Sequence, residues 1–216
     1  MVAGDTAKRN LTKVRILDAT EQLVAEQGFD SVSLRDITNG AGVNVAAVNY
    51  HFGSKEKLYE AVQCRYINPV NEERLELLEK VLAEGGGVRE ILEAFMRPFL
   101  TMVTRSKMSE QLFFKLMGRC IMDHNASLSE EMIPLFRQMS GAYTKALASA
   151  FPEMPVDLLL WRLHFSFGVM ANTLLHGDVL IKFTDGACGE PDFETNVQRM
   201  VDFCYAGFVA EGGDPR

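Results

Sequence analysis

Residues 33–55 read SLRDITNGAGVNVAAVNYHFGSK, and this stretch decides the fold. Ser33, followed three residues later by Asp36, has the pattern of a capping box, so a short helix is predicted to begin just after Ser33. Gly42 supplies the positive φ that a tight turn requires, and Asn44 is a typical N-cap for a second short helix. The stretch therefore predicts two short helices joined by a glycine turn.

The second helix of this pair has a predicted inner and outer face. Val48 and Phe52 are four residues apart, so they share one helix face and are expected to point into the core. The outer face would then enter a DNA groove, as in other two-helix units of this kind, with Asn44 and Asn49 pairing with adenine and Arg35 with guanine. The complete predicted DNA-binding set is Ser33, Arg35, Asn44, Val45, Ala46, Ala47, Asn49, Tyr50, His51 and Lys55, of which Ser33, Tyr50, His51 and Lys55 are expected to hold phosphates.

Residues 34–58, together with residues 16–29, resemble the N-terminal domain of TetR-family transcriptional regulators. The string YHFGSKEKL at residues 50–58 is similar to the most specific signature of that family. The resemblance implies a homodimer that represses by reading an inverted repeat and that holds an inducer inside its helical body. Asn49 replaces the aromatic residue often found there in the family, so the operator sequence cannot be inherited from a relative.

The hydrophobic spacing predicts helices along the whole chain. We expect an all-α fold of about nine helices, with a three-helix helix-turn-helix DNA-binding domain at residues 1–56. A larger ligand-binding and dimerisation domain is expected at residues 57–216. In the second half of the chain the predicted helices cover residues 88–104, 109–123, 129–151, 156–175 and 192–211.

Glycines and prolines mark the predicted helix ends. The first helix is expected to run from about Leu11 to Gln27, with Gly28 as its left-handed C-cap. Pro69 is expected to end or kink the fourth helix. The triple glycine at residues 85–87 predicts a loop, and residues 176–191, with three glycines and a proline, predict another.

The charge is unevenly distributed, although the net value of −7 looks unfavourable for DNA binding. Residues 1–60 carry seven Lys and Arg against eight Asp and Glu, whereas the remainder carries fifteen against twenty-one. The charged residues of one segment near the N-terminus, Lys8, Arg9, Lys13 and Arg15, are all basic. This basic arm is suited to phosphate contacts, so DNA binding is expected to be strongly salt-sensitive.

Cysteine spacing and hydropathy indicate the compartment. The four cysteines are dispersed without a C-x-x-C pair, so reduced thiols are expected and neither a zinc site nor a redox motif is. No uninterrupted apolar run has the length of a membrane span, and the N-terminus lacks the apolar segment of a signal peptide. We therefore expect a cytoplasmic protein with no membrane partner.

The second half of the chain has helical faces rich in Phe and Met, which are either ordinary core or the lining of an apolar ligand cavity. The predicted ligand-binding set is Phe95, Phe99, Met102, Phe113, Met117, Arg119, Cys120, His164 and Asn172. Resemblance to the branch of the TetR family that regulates fatty-acid metabolism favours a fatty acid or acyl-CoA. Two alternatives stay open: a multidrug-sensing repressor of an efflux system that binds apolar cations, and a ligand-binding protein that has lost DNA binding.

Two late segments are apolar nearly all round, which indicates helices buried on several sides. A partner subunit would meet that demand, and the family resemblance implies a four-helix dimer interface. The predicted dimer residues are Phe167, Met170, Ala171, Leu174 and Phe203.

Enzyme motifs are missing from the sequence. No Glu-x-x-His pair, G-x-S-x-G, P-loop or H-E-x-x-H is present, so neither a metal nor another cofactor is expected. Cys120 and His124 stand at helical spacing as a nucleophile and base, but a buried free cysteine is the commoner explanation. We predict that the protein is not an enzyme.

Overall fold

The computed structural model describes residues 2–122, 132–189 and 192–210, which form nine α-helices, one 3₁₀ turn and no strand. The predicted all-α class is confirmed. The helices are α1 Val2–Gln27, α2 Leu34–Ala41, α3 Val45–Phe52, α4 Lys55–Ala83, α5 Val88–Leu100, α6 Glu110–Met122, α7 Met132–Ala150, α8 Val156–Phe183 and α9 Phe193–Val209, with the 3₁₀ turn at Met102–Arg105.

The chain divides into two compact units. Unit 1 takes its described residues from Met1–Ile67 and Arg105–Ser129, and unit 2 takes its own from Asn68–Thr104 and Glu130–Arg216. Within unit 1, α6 packs against α1. The units therefore differ from the predicted domains, because α6 is grouped with the helices of the N-terminal motif.

The first helix ends as predicted but begins earlier. Gly28 has φ 87°, and its N–H donates to the carbonyl of Val24 at 2.9 Å, as expected of a left-handed C-cap. The helix already starts at Val2 rather than near Leu11. The basic arm of Lys8, Arg9, Lys13 and Arg15 is consequently helical.

Of the two outcomes expected at Pro69, an end or a kink of α4, the end is wrong, because the helix continues to Ala83. A proline inside a helix removes one backbone hydrogen bond and crowds the carbonyl four residues earlier. Tyr66 and Val70, on either side of Pro69, are both buried. Burial of the side chains around the proline thus outweighs the local penalty.

The predicted loop at residues 176–191 is wrong over its first half, since α8 extends to Phe183. An isolated glycine such as Gly177 only weakens a helix, and an ion pair between Lys182 and Asp178 at 2.9 Å supports the last turns. The chain leaves the helix at Thr184, and Gly186 then adopts φ 77°.

Unit 1 has an apolar core with one buried carboxylate among its described residues, that of Glu21. Arg65 donates to Asp18 at 2.6 Å and to Glu21 at 2.8 Å, while the Tyr66 hydroxyl donates to Glu21 at 2.9 Å. Burial raises the pKa of Glu21, although Arg65 and Tyr66 oppose that effect. The ring of Tyr66 also contacts Phe113 of α6 at 5.4 Å between centroids.

Unit 2 is a bundle in which α8 packs against α5, α7 and α9. Aromatic pairs join its helices, such as Phe95 with Tyr143 at 5.2 Å and Phe99 with Phe167 at 5.5 Å. By length and a mean hydropathy of 1.2 alone, α8 is the one helix in the described part of the chain that passes for a membrane span. One such helix is only weak evidence for a membrane span, because the core helix of a helical bundle can pass the same test.

Candidate functional site

The start of α2 and the turn between α2 and α3 have the predicted geometry. The Asp36 N–H donates to the Ser33 hydroxyl at 3.2 Å and the Ser33 N–H donates to the Asp36 carboxylate at 2.9 Å, which completes the capping box. The hydrogen bond from the Ser33 hydroxyl lowers the pKa of Asp36. Gly42 follows with φ 62° and donates to the Asn39 carbonyl at 3.2 Å.

Helix α3 is fixed at both ends. The Asn44 side-chain oxygen accepts the N–H of Ala47 at 2.9 Å, and Gly53, at φ 83°, donates to the Asn49 carbonyl at 3.0 Å. Val48 and Phe52 are buried, so the predicted inward pair is confirmed. The opposite side of α3 is left to solvent.

The outer face of α3 is polar and accessible. Asn49 is exposed, and its side-chain amide has no hydrogen-bond partner among the described residues. Tyr50 is 64% exposed, and its ring lies edge-on to His51 at 5.2 Å. Val45 and Ala46 are exposed as well. The face therefore has free hydrogen-bonding groups beside apolar ones, which is what reading of base edges requires.

Basic side chains, most of them from α1, lie close to α3. The guanidinium of Arg9 lies 5.2 Å from the Tyr50 ring centre, and Arg15 donates to the Gly42 carbonyl at 3.3 Å. Lys55, a predicted phosphate contact, has its ammonium 4.2 Å from the ring centre of Phe29. The ammonium of Lys13 lies 5.9 Å from the ring centre of Phe52, so three of the four arm residues sit beside the α2–α3 pair.

Four of the predicted ligand-binding residues lie in unit 1, where they pack α6 onto its neighbours. Phe113 and Met117 are buried, and Arg119 donates to the carbonyl of Glu26 at 3.2 Å. Cys120 accepts a hydrogen bond from the Tyr59 hydroxyl at 3.6 Å. His124, the suggested base for Cys120, lies outside the described residues.

The other five predicted ligand-binding residues lie in unit 2, and only some of them come together. Phe95, Phe99 and Met102 are buried. His164 and Asn172 are exposed, and His164 lies edge-on to Trp161 at 5.8 Å.

Arg74 was not among the residues predicted from the sequence, although its guanidinium lies beside the buried rings of Phe95 and Phe99. Its Nε donates to the Phe95 carbonyl at 2.7 Å, and its guanidinium carbon lies 4.3 Å from the ring centre of the same residue. A signal was available, since Arg74 is four residues after buried Val70 and four before buried Leu78. An arginine in such an apolar stripe is unusual.

The predicted dimer residues are divided between core and surface. Met170 and Ala171 are buried within unit 2, and Phe167 packs on Phe99. Leu174 is half-buried, and Phe203 is 70% exposed. Two further aromatic residues of α8 are exposed and stacked on each other at 5.8 Å, Trp161 and Phe165.

No group of three or more His, Cys, Asp or Glu that could hold a metal is found in the described ranges.

Two family models match the chain. One, "Bacterial regulatory proteins, tetR family", covers residues 16–62, and the other, "Tetracyclin repressor-like, C-terminal domain", covers residues 93–207. The second match alone spans more than half of the 216 residues.

Curated relatives agree with these matches. The chain is 29% identical over 143 residues to IcaR of Staphylococcus aureus (strain Newman), the HTH-type negative transcriptional regulator of the biofilm operon icaADBC. That alignment covers 62% of this chain and 74% of IcaR. Identity to KstR2, an HTH-type transcriptional repressor of Rhodococcus jostii, is 22% over 137 residues, which is 63% of this chain and 65% of KstR2.

Solved structures have the same fold at low identity. A TetR family transcription regulator from Marinobacter aquaeolei VT8 aligns with a TM-score of 0.62 at 16% identity, over 93% of this chain and 96% of that one. NalD of Pseudomonas aeruginosa, the secondary repressor of the MexAB-OprM multidrug efflux pump, aligns with a TM-score of 0.60 at 22% identity, over 97% and 100%.

Proposed function

The chain belongs to the TetR family of bacterial regulatory proteins, and from this premise we propose that it is a homodimeric one-component transcriptional repressor. It binds operator DNA through α2 and α3, and an apolar small molecule bound in its C-terminal half releases it. Since its target is the chromosome, it acts in the cytoplasm.

The exposed face of α3 is the single observation that carries this proposal. Asn49 and Tyr50 project from a helix whose two ends are capped and whose inner pair is buried, so the backbone that carries them is fixed before DNA arrives. A preorganised backbone loses little entropy on binding. Arg9 stands beside Tyr50 and adds positive charge where a phosphate would lie.

The dimer is supported by the exposed aromatic side chains of α8 and α9. Trp161 and Phe165 on α8 and Phe203 on α9 are all more than half exposed, and the two helices pack against each other. Gly168, one turn beyond Phe165, has nothing within 4 Å of an added Cβ, which leaves room for a close helix approach. A second copy seated on this surface would form a four-helix contact with two-fold symmetry.

That symmetry accounts for the form of the operator. Two reading heads about one helical turn apart would recognise an inverted repeat. An effector releases DNA only if it binds more tightly to a conformation in which the two heads are wrongly spaced. Pro69, within α4, is our candidate for the hinge.

Repression, rather than activation, is supported by the relatives, because IcaR is described as a negative regulator and NalD as a repressor. The role of NalD with an efflux pump keeps a multidrug sensor as the alternative, but the buried guanidinium of Arg74 would repel an apolar cation.

Selection of bound fragments from genomic DNA, followed by anisotropy titration of the enriched fragment and of random DNA, tests the proposal. We expect an enriched inverted repeat bound at least about a thousandfold more tightly than random DNA. If no fragment is enriched by correctly folded protein, the chain is instead a ligand-binding protein that has lost DNA binding.

A further inference from the structure

The strongest unexplained feature of unit 2 is a buried positive charge. Arg74 is only 3% exposed, yet no carboxylate among the described residues pairs with its guanidinium. The contacts it has are to neutral groups. Its Nε donates to the Phe95 carbonyl, and its own backbone carbonyl accepts the Tyr143 hydroxyl at 2.7 Å.

Two hydrogen-bond donors at this position have no acceptor in the described residues. One is Nη2 of Arg74, and the other is the side-chain Nδ2 of Asn71. Asn71 is 5% exposed, and its Oδ1 accepts from Nη1 of Arg74 at 3.3 Å, so its amide lies directly beside the guanidinium. Buried donors are normally satisfied, and each exception calls for an explanation.

The surroundings of the charge are apolar. The Arg74 guanidinium carbon lies 4.3 Å from the ring centre of Phe95 and 5.9 Å from that of Phe99. Burial lowers the pKa of Arg74 to about 10, so the side chain still carries its charge at neutral pH. A buried unpaired charge is costly, whereas an ion pair with further hydrogen bonds recovers much of that cost.

We propose that Arg74 and Asn71 bind the carboxylate of a monoanionic, apolar organic acid, whose hydrocarbon part lies along the Phe95 and Phe99 rings. The proposal rests on the proposed effector binding in the C-terminal half and specifies its chemistry. One carboxylate oxygen accepts from Nη2 of Arg74 and the other from Nδ2 of Asn71. The free donors equal the carboxylate oxygens in number, and one negative charge neutralises one guanidinium.

Charge balance selects a monoanion among apolar ligands. A cation would be repelled by Arg74, and a neutral alcohol would leave the charge unpaired. A phosphate dianion would leave a net negative charge in the same apolar surroundings. A coenzyme A thioester has no free carboxylate at its acyl end, so the free acid is favoured over the thioester.

Calorimetric titration of the purified full chain with a ten-carbon series tests this proposal. The probes are decanoate, 1-decanol, decyltrimethylammonium, decyl phosphate and decanoyl-coenzyme A. We expect decanoate to bind at least about 10-fold more tightly than any other member. Equal or tighter binding of the alcohol, the ammonium, the phosphate or the thioester would overturn the assignment.

Two variants test the roles of Arg74 and Asn71, one at each residue. Arg74→Met removes the charge at similar volume, and Asn71→Asp places an internal carboxylate against Arg74. Both should weaken decanoate binding by about 10- to 100-fold. Asn71→Asp should also raise the thermal midpoint of the ligand-free protein, because it satisfies the guanidinium from within. Wild-type decanoate affinity in folded Arg74→Met would refute the proposal.

Matched controls separate this site from general effects of charge or folding. Arg137→Met removes an exposed charge from α7 of the same unit and should leave decanoate affinity unchanged. Arg74→Lys keeps the charge without the planar fork and should bind decanoate with intermediate affinity. Circular dichroism measures whether each variant folds. If Arg74→Met does not fold, the other two variants decide the question. Unchanged decanoate affinity in both Arg74→Lys and Asn71→Asp would then refute the proposal.

The outcome for this site is distinguishable from that for the proposed function. If decanoate binds through Arg74 but does not release operator DNA, the carboxylate site stands and the inducer role fails. If another compound releases DNA and decanoate does not bind, the inducer role stands and the carboxylate site fails.

Discussion

Asn44 caps α3 through its side-chain oxygen, which accepts the backbone N–H of Ala47 at 2.9 Å. Bidentate recognition of adenine uses both the oxygen and the nitrogen of an amide. The Asn44 oxygen is already occupied by the cap, whereas the amide of Asn49 has no hydrogen-bond partner among the described residues. We therefore propose different roles for the two asparagines that the sequence predicted to read bases, with Asn49 as the base contact and Asn44 mainly as the helix cap.

Asn49→Ala is expected to weaken operator binding by about 1–3 kcal/mol and to leave binding to random DNA nearly unchanged, because only the base contact is lost. Anisotropy titrations on both DNAs measure this difference. Asn44→Ala is the matched control, and it should cost about 0.5–2 kcal/mol of folding free energy through loss of the cap. Equal losses on operator and random DNA with Asn49→Ala would contradict the base-reading role.

Arg9→Ala is expected to weaken binding to every DNA sequence and to reduce the slope of log K against log salt by about 1, since one phosphate contact is lost. Arg9 is exposed and lies 5.2 Å from the Tyr50 ring, on the side of α1 next to the reading face. Titrations at several salt concentrations give the slope. Lys145→Ala, an exposed substitution on α7, serves as control and should leave the slope unchanged.

Short-range patterns in the sequence were sufficient to predict the α2–α3 pair. The capping residues, Gly42 and the inward pair of Val48 and Phe52 all act within a few residues, so no distant contact is needed to predict them. The end of α8 was missed for the same local reason, because glycines at 177 and 186 look alike in sequence and only the second has a positive φ, just beyond the end of the helix.

Long-range packing was beyond the reach of the sequence. Arg119 is one of the predicted ligand-binding residues, yet it donates to the Glu26 carbonyl, 93 residues away. The site around Arg74 depends on Phe95 and Tyr143, which lie on two other helices. Periodicity can indicate that a face is buried, but it cannot tell which helix buries it.

Phe203→Glu combined with Phe165→Glu is expected to convert the proposed dimer into a monomer. Both side chains are exposed in the single chain, so folding should be unaffected, and each change acts twice in a two-fold interface. Loss of two aromatic anchors should cost about 2 kcal/mol or more each. Light scattering during size-exclusion chromatography measures the mass. Leu82→Glu, which alters an exposed leucine of α4, is the control and should stay dimeric.

Gly28→Ala is expected to destabilise the protein beyond the strain of its positive φ of 87°, whereas Gly53→Ala, at φ 83° and ψ −54°, should cost backbone strain alone. Each substitution costs about 1–3 kcal/mol of backbone strain. An added Cβ at Gly28 would lie 2.3 Å from Nη1 of Arg119, whereas one at Gly53 meets nothing within 4 Å.

The guanidinium of Arg119 must therefore move when Gly28 is replaced, and it then loses its hydrogen bond to the Glu26 carbonyl, worth about 0.5–1.5 kcal/mol. In an Arg119→Ala background this extra loss should vanish, so that Gly28→Ala costs only the strain of its own backbone. Urea unfolding of the single and double variants measures the coupling. If the extra cost of Gly28→Ala persists without Arg119, the contact does not contribute to how α6 is held against α1.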